Sequence, residues 1–320
     1  MATRGRDVIE LDVLTAGEAL VLLAAQSTGA LEEVDTFRRF SAGAELNVAV
    51  GLARLGLRVG YMSRVGDDAF GRFLLAAMAR EGLSCELVAV DSARSTGFML
   101  KSLAVGGDPS IDYYRRGSAA SAMDASALAS TAPLRARHVH LSGILPALSP
   151  GCRDLAFALA TTARAQGGRV SFDPNLRPRL WGSHEEMVTT VNALAALSDL
   201  VLPGLAEGRL LTRRQDAEDI AGFYLDLGAS AVVVKLGPDG AFCADRSGLH
   251  AHVPGIAAER VVDTVGAGDG FAVGVVSGLL DGLPLEAAVR RGNAIGARVV
   301  QFPGDSDGLP TREQLQDLAA

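Results

Sequence analysis

The sequence predicts an α/β fold in which a mostly parallel sheet is covered by helices and accompanied by a smaller separate sheet. Three observations carry this. From about residue 136, short apolar runs alternate with longer amphipathic stretches, the pattern of successive βαβ units. Turn residues punctuate the alternation, as at Gly167-Gly168 and Gly237-Pro238-Asp239-Gly240. Two earlier segments, 18–40 and 95–116, lack helical periodicity and carry alternating stretches such as Ile111-Asp112-Tyr113-Tyr114-Arg115, so they can pair into a sheet of their own. A chain of 320 residues, at roughly 150 per domain, suits two domains or one large α/β unit.

In chain order, a strand near 8–14 comes first, and helices are predicted over 45–56 and 69–82, ending at Gly56 and Gly82. The Ala/Ser-rich stretch 118–132 reads as a surface helix or loop. Parallel strands follow at 137–142, 169–173, 199–202 and 231–235, separated by helices at 151–166, 184–197 and 215–227. An apolar helix-like run reaches Leu280.

Composition excludes several classes of function. Hydrophobic residues make up 48% and charged residues 21%, which argues against disorder. The net charge of −7, with no Lys/Arg block, lacks the phosphate-neutralising surface of a nucleic-acid binder. No run approaches 18 consecutive apolar residues, and residues 1–7 lead into no apolar segment with a cleavage site, so no membrane partner and a cytoplasmic location are expected. Cys85, Cys152 and Cys243 are too far apart for a CxxC metal or redox site and read as reduced. Lys101 and Lys235 are the only lysines and neither follows a glycine, which excludes a Walker A loop.

Ligands of an open parallel sheet collect outside the carboxyl ends of its strands. There the sequence places Ser142-Gly143, Asp173-Pro174-Asn175, Pro203-Gly204 and Lys235-Leu236-Gly237. The sharpest local signal is Asp263-Thr264-Val265-Gly266-Ala267-Gly268-Asp269-Gly270-Phe271, a glycine-rich helix entrance. Its amides and the helix N-terminus favour an anion. Phe271 occupies the place of the third glycine of the dinucleotide fingerprint, which argues against NAD. A carboxylate at Asp269 would oppose a bound anion unless it served as base toward an attacking hydroxyl. Asn47, at a loop-to-helix entrance beside Gly43, can bind ligand hydroxyls or satisfy the first helical turn. Tyr113 and Arg115 share one face if 111–116 is a strand, and Arg grips carboxylates with two hydrogen bonds. Lys235 ends a strand beside the cleft. The pairs His138/His140 and His250/His252 have no carboxylate or cysteine at metal spacing and read as structural.

Asp263 to Phe271 resembles the carboxy-terminal signature of the ribokinase-like (PfkB) carbohydrate kinases. Gly43-Ala44-Glu45-Leu46-Asn47-Val48-Ala49 with Leu52-Ala53-Arg54-Leu55-Gly56 resembles the amino-terminal motif, and Val65-Gly66-Asp67-Asp68-Ala69-Phe70-Gly71 follows in order. Tyr113 to Ala119, Phe172 to Arg177 with Trp181, and Pro303-Gly304-Asp305 are most similar to the 2-keto-3-deoxygluconate kinases of that family.

The resemblance implies a ribokinase-like three-layer α/β/α domain (1–17, 41–94 and 117–320) with a small β-sheet lid (18–40 and 95–116). It implies transfer of the γ-phosphoryl group of ATP to a sugar or sugar acid, with 2-keto-3-deoxygluconate first and fructokinase- or ribokinase-like neutral sugars second. A non-catalytic sugar- or nucleotide-sensing module is the alternative outside catalysis. By position, Asp269 becomes the base, expected to need no raised pKa, and the amides of Gly266, Ala267 and Gly268 the anion hole. The sugar falls to Gly43, Asn47, Tyr113, Arg115, Arg177 and Asp305, with Arg115 expected to matter most for a carboxylate. ATP falls to Lys235, Gly237, Gly240, Gly266, Gly268 and Asn293. Mg²⁺ is held through water near Glu207, a monovalent cation such as K⁺ is a further cofactor option, and the lid is an option for a homo-oligomer contact. Two positions depart from the family pattern: Gly204 stands for the Asn of the magnesium motif, and Met99 for a lid tyrosine.

Overall fold

The computed structural model describes residues 9–103, 109–130 and 134–318. The segment 1–7 read for targeting, and parts of 95–116 and 118–132, lie outside them. Thirteen strands are present among the described residues: β1 (Ile9–Ala16), β2 (Leu20–Ala25), β3 (Phe37–Ala42), β4 (Val59–Gly66), β5 (Val88–Asp91), β6 (Phe98–Lys101) and β7 (Ile111–Tyr114), then β8 (Leu134–Ser142), β9 (Arg169–Asp173), β10 (Leu200–Val201), β11 (Ala231–Lys235), β12 (Ala241–Asp245) and β13 (His250–Val253).

Nine of these form one sheet in the order β13-β12-β11-β10-β9-β8-β1-β4-β5. Every pairing from β11 to β5 is parallel, and β12 and β13 close the other edge antiparallel. Helices cover both faces, giving three layers. Ala44–Arg54, Ala69–Arg80, Ala267–Leu280 and Leu285–Val299 pack on one face around Leu52, Leu74, Val273 and Ile295. Pro150–Ala165, His184–Ala196 and Ala217–Leu227 pack on the other around Leu155, Val191 and Tyr224.

The segments 18–40 and 95–116 do pair with each other, in a second sheet of order β3-β2-β6-β7. Its outer pairs are antiparallel and β2·β6 is parallel. Leu20, Leu22, Ala42 and Met99 form its own small core.

The strands 169–173 and 231–235 form as the sequence predicts, whereas 199–202 shortens to Leu200–Val201 because Pro203 has no N–H to continue the ladder. The Ala/Ser-rich stretch folds into a turn at Ala120–Ala122 and a short helix at Ser126–Ser130. Strands β4, β5 and β12 were absent from the sequence expectation. In β4 the pattern is interrupted by Ser63 and Arg64, yet the strand is paired on both sides, with β1 and with the edge strand β5; Tyr61 and Ser63 hydroxyls both donate to the Gly17 carbonyl, satisfying the buried polar groups. His138 and His140 flank the Ser171 hydroxyl at 2.7 and 2.8 Å, and burial pushes both imidazoles down to about 3, so they are neutral core residues.

Candidate active site

The parallel strands end together, so that the residue after β1 and the last residues of β8, β9 and β11 converge beside the N-terminus of the helix Ala267–Leu280. A cavity of about 390 Å³ lies there, roofed by Met99, Ile111 and Tyr113 of the second sheet. Six residues expected on the sugar side line it: Gly43, Asn47, Tyr113, Arg115, Arg177 and Asp305. So do Lys235, Glu207, Gly266, Gly268 and Asp269.

Asp269 sits in the first turn of its helix, 9% exposed, and its Oδ2 accepts a 2.8 Å hydrogen bond from Asn47 Nδ2. Burial, with the charges of Asp173 and Asp305 nearby, raises its pKa from 3.8 to about 7, against the opposing pull of Asn47 and Lys235. This corrects the expectation of an unshifted carboxylate: at neutral pH the group is close to half protonated, the condition that suits a general base. The bond also revises Asn47, whose amide orients Asp269 with one N–H and keeps its second N–H and its carbonyl oxygen for a ligand.

Two glycines are required by the backbone. Gly43 has φ 133° and a Cβ there would lie 2.4 Å from the Glu18 carbonyl; Gly266 has φ 83° and a Cβ would lie 2.5 Å from the Asp305 carbonyl. Gly268 faces Lys235, whose Nζ would be 3.6 Å from a Cβ at that position. A cation therefore stands beside the helix entrance, where the first-turn amides have no carbonyl one turn back. Ala267 does not line the cavity, and its N–H makes a long 3.4 Å contact with the Thr264 carbonyl.

Electrostatics inside the cavity differ from the expected cationic cluster. Glu18, Glu45, Asp173, Glu207, Asp269 and Asp305 line it against Arg115, Arg177 and Lys235. Arg115 is held by Glu18: Nε lies 2.5 Å from Oε2, Nη2 contacts the same oxygen, and the Glu18 side chain is fully buried. Lys235 is held by Asp173 at 2.6 Å; burial opposes its charge, but Asp173 and Glu207 keep its pKa above the usual lysine value. Among the described residues, Arg177 makes no ion pair and donates only to the Leu176 carbonyl. Among the described residues, Arg177 is thus the lining cation without a carboxylate partner, whereas Arg115 is paired.

Glu207 is similarly engaged. Its two oxygens accept the N–H groups of Leu176 and Gly204 at 2.7 and 2.8 Å, capping its own helix and fixing the Asp173–Arg177 loop. Gly237, Gly240 and Asn293 lie outside the cavity but near one another. The turn at Gly237–Gly240 packs on residues 253–255, and Asn293 Nδ2 donates to the carbonyls of Val253 and Pro254.

The sequence reading missed Glu18 and Glu45 as lining residues and placed Asp173 at the cleft without giving it a role. Glu45 accepts from the Ser142 hydroxyl at 2.6 Å while its other oxygen, Oε2, is buried with no partner, and burial raises its pKa. Asp173 was detectable as a carboxylate ending a parallel strand. Asn175, in the same loop, has φ 37°, a strained value held by its N–H bonding to Asp173 Oδ1 at 3.2 Å.

Comparison with known proteins gives a consistent result. The 2-dehydro-3-deoxygluconokinase of Bacillus subtilis (strain 168) is 48% identical over 308 residues, 96% of this chain and 95% of that protein. The crystal structure of a PfkB protein from Polaromonas sp. JS666 superposes with a TM-score of 0.87 at 49% identity, covering 96% of this chain and 99% of that one. The fructokinase of Vibrio cholerae O395, with fructose, ADP and a calcium ion bound, superposes with a TM-score of 0.85 at 29% identity over 97% and 99% of the two chains. With the family's sequence model matching residues 11–312, the chain belongs to the pfkB family of carbohydrate kinases.

Proposed function

We propose that this kinase transfers the γ-phosphoryl group of ATP to a hydroxyl of a sugar acid, with 2-dehydro-3-deoxygluconate (2-keto-3-deoxygluconate) as the preferred acceptor. One observation carries the reading: a buried carboxyl of pKa about 7, Asp269, shares one cavity with a helix entrance flanked by Lys235 and with an arginine, Arg177, that no carboxylate neutralises among the described residues. The 48% identity to the Bacillus subtilis enzyme supports the choice of acceptor.

Asp269 takes the hydroxyl proton as the hydroxyl oxygen bonds to the γ-phosphorus and the bond to ADP breaks. Asn47 fixes the carboxyl for that step. Negative charge on the transferring group meets the Gly266 and Gly268 amides, the positive end of the helix and the Lys235 ammonium. Arg177 binds the acceptor's carboxylate, with Tyr113 and the Glu18-held Arg115 completing that side. Gly237, Gly240 and Asn293 frame the 253–255 loop, and we assign the outer part of the nucleotide to that loop.

A divalent ion fits the donor set. Among the described residues no cluster of three His, Cys, Asp or Glu side chains can hold a metal alone, which suits Mg²⁺ bound chiefly by phosphates and water, with Asp173 and Glu207 oxygens as the protein's contribution. When bound, the ion would neutralise phosphate charge.

The second sheet is assigned as a lid over the acceptor, excluding water that would compete with it. Hydrogen exchange in 20–42 and 98–114 is expected to slow with saturating sugar acid; unchanged exchange would remove the lid assignment. The function itself is tested by ADP release over a panel of sugars and sugar acids. The account expects the largest kcat/KM for 2-dehydro-3-deoxygluconate, and preference for fructose or ribose over every sugar acid would overturn the acceptor while leaving the kinase.

A further inference from the structure

Only two lysines occur among 30 basic residues, and both pair with carboxylates. Lys235 belongs to the cavity already described, whereas Lys101 does not line it. Lys101 ends β6 in the second sheet, and its side chain crosses to the main domain. There Nζ lies 2.5 Å from Asp263 Oδ2, 3.1 Å from Asp305 Oδ1 and 3.3 Å from the Pro303 carbonyl. An ammonium has three N–H donors, and this cage offers three oxygens. The lysine and the two carboxylate side chains are 5%, 8% and 4% exposed, so little of the cage meets solvent.

Both residues reach the glycine turn at the helix entrance, Asp263 through its carboxylate and Asp305 through its backbone. Asp263 Oδ1 accepts the Val265 N–H at 3.0 Å. The Asp305 carbonyl lies against Gly266, close enough to forbid a Cβ. Asp263 and Asp305 thus hold the turn from two sides, and one cation from the other sheet holds both. Three convergent oxygens in a buried site suit a compact ammonium and not the planar five-donor fork of arginine, which explains a lysine in a chain that otherwise uses 28 arginines. Burial opposes the charge on Lys101, and Asp305 and Asp263 outweigh it, raising its pKa.

We propose that Lys101 is a positioning residue for phosphoryl transfer: by neutralising Asp263 and Asp305 it sets the Gly266–Gly268 turn, and it makes that turn depend on the seating of the sugar-side sheet. This rests on the assignment of the turn to the transferring phosphoryl group. Removing Lys101 leaves two buried carboxylates facing each other beside the turn, so the loss falls on the transition state and not on sugar binding.

The test compares wild type, Lys101→Ala and Lys101→Arg by steady-state ADP release, with ammonium or methylammonium chloride against equal choline chloride, and by hydrogen exchange of residues 263–268. For Lys101→Ala, kcat is expected to fall by about 30- to 100-fold with the sugar KM within about threefold, and ammonium but not choline should restore part of it. Lys101→Arg keeps the charge, should fold, and should lose about tenfold in kcat. Exchange at 265–268 should quicken in both variants. A Lys101→Arg variant at wild-type kcat, a loss confined to KM, a folded Lys101→Ala variant that ammonium does not restore, or unaltered exchange in the turn would each overturn the proposal. If Lys101→Ala does not fold, Lys101→Arg and its exchange decide. A wild type that releases no ADP would count against the kinase reading, and the exchange measurement would still decide the place of Lys101.

Discussion

Asp269→Asn is expected to lower kcat by about three orders of magnitude while ATP binding survives, because the amide keeps the shape and the Asn47 hydrogen bond but accepts no proton. The same substitution should stabilise the protein, in a pH-dependent way whose sign follows from the raised pKa. Folding lifts the Asp269 carboxyl from 3.8 to about 7, so between those values the folded state binds the proton that the unfolded state has released. Stability from this group is full below about pH 4 and lost as pH rises through about 7. Thermal melts should therefore show Asp269→Asn gaining Tm at pH 8, with the gain vanishing near pH 4. A variant with near-native kcat would remove Asp269 from the base role; equal Tm differences at both pH values would show that its carboxyl is not strained by burial.

The second large effect concerns the acceptor's carboxylate. Arg177→Ala is expected to raise KM for 2-dehydro-3-deoxygluconate by about one to two orders of magnitude, the scale of a charge-assisted bond worth about 1.5–3 kcal/mol, with neutral sugars nearly unaffected. Arg115→Ala should behave differently. It strands Glu18, whose side chain is fully buried, and breaking such a pair costs about 3–5 kcal/mol of stability, so the melt should fall along with activity. Kinetics and melts on both variants separate the two arginines. If Arg115→Ala raises KM more than Arg177→Ala and leaves Tm unchanged, the sugar carboxylate belongs to Arg115.

Why the sequence singled out Arg115 and not Arg177 is plain from separations along the chain. Gly266, Gly268 and Asp269 were legible because a glycine-rich helix entrance is a local pattern, and the βαβ alternation after residue 136 is local too. What an arginine or carboxylate faces is not local. Arg115 meets Glu18 across 97 residues, Asn47 meets Asp269 across 222, and Lys101 meets Asp263 across 162. Motif position could therefore place Arg115 and Asn47 at the cavity but could not show that Glu18 already holds one and Asp269 the other. Glu207 shows the same limit: its place in a motif suggested a metal held through water, but could not show that its oxygens also accept the backbone N–H groups of Leu176 and Gly204. The pKa of Asp269 lay equally out of reach, since burial, its largest cause, exists only once the sheets and helices have packed.

The central claim is that a buried carboxyl poised near neutrality takes the acceptor's proton. The pH dependence of kcat/KM for the sugar acid tests it most directly, because that profile reports the free enzyme's essential base. The account predicts an acidic limb with an apparent pKa of about 7, along which activity rises with pH as Asp269 ionises, and its loss from the residual activity of Asp269→Asn. A profile flat from about pH 5 to 8, or one unchanged in that variant, would contradict it.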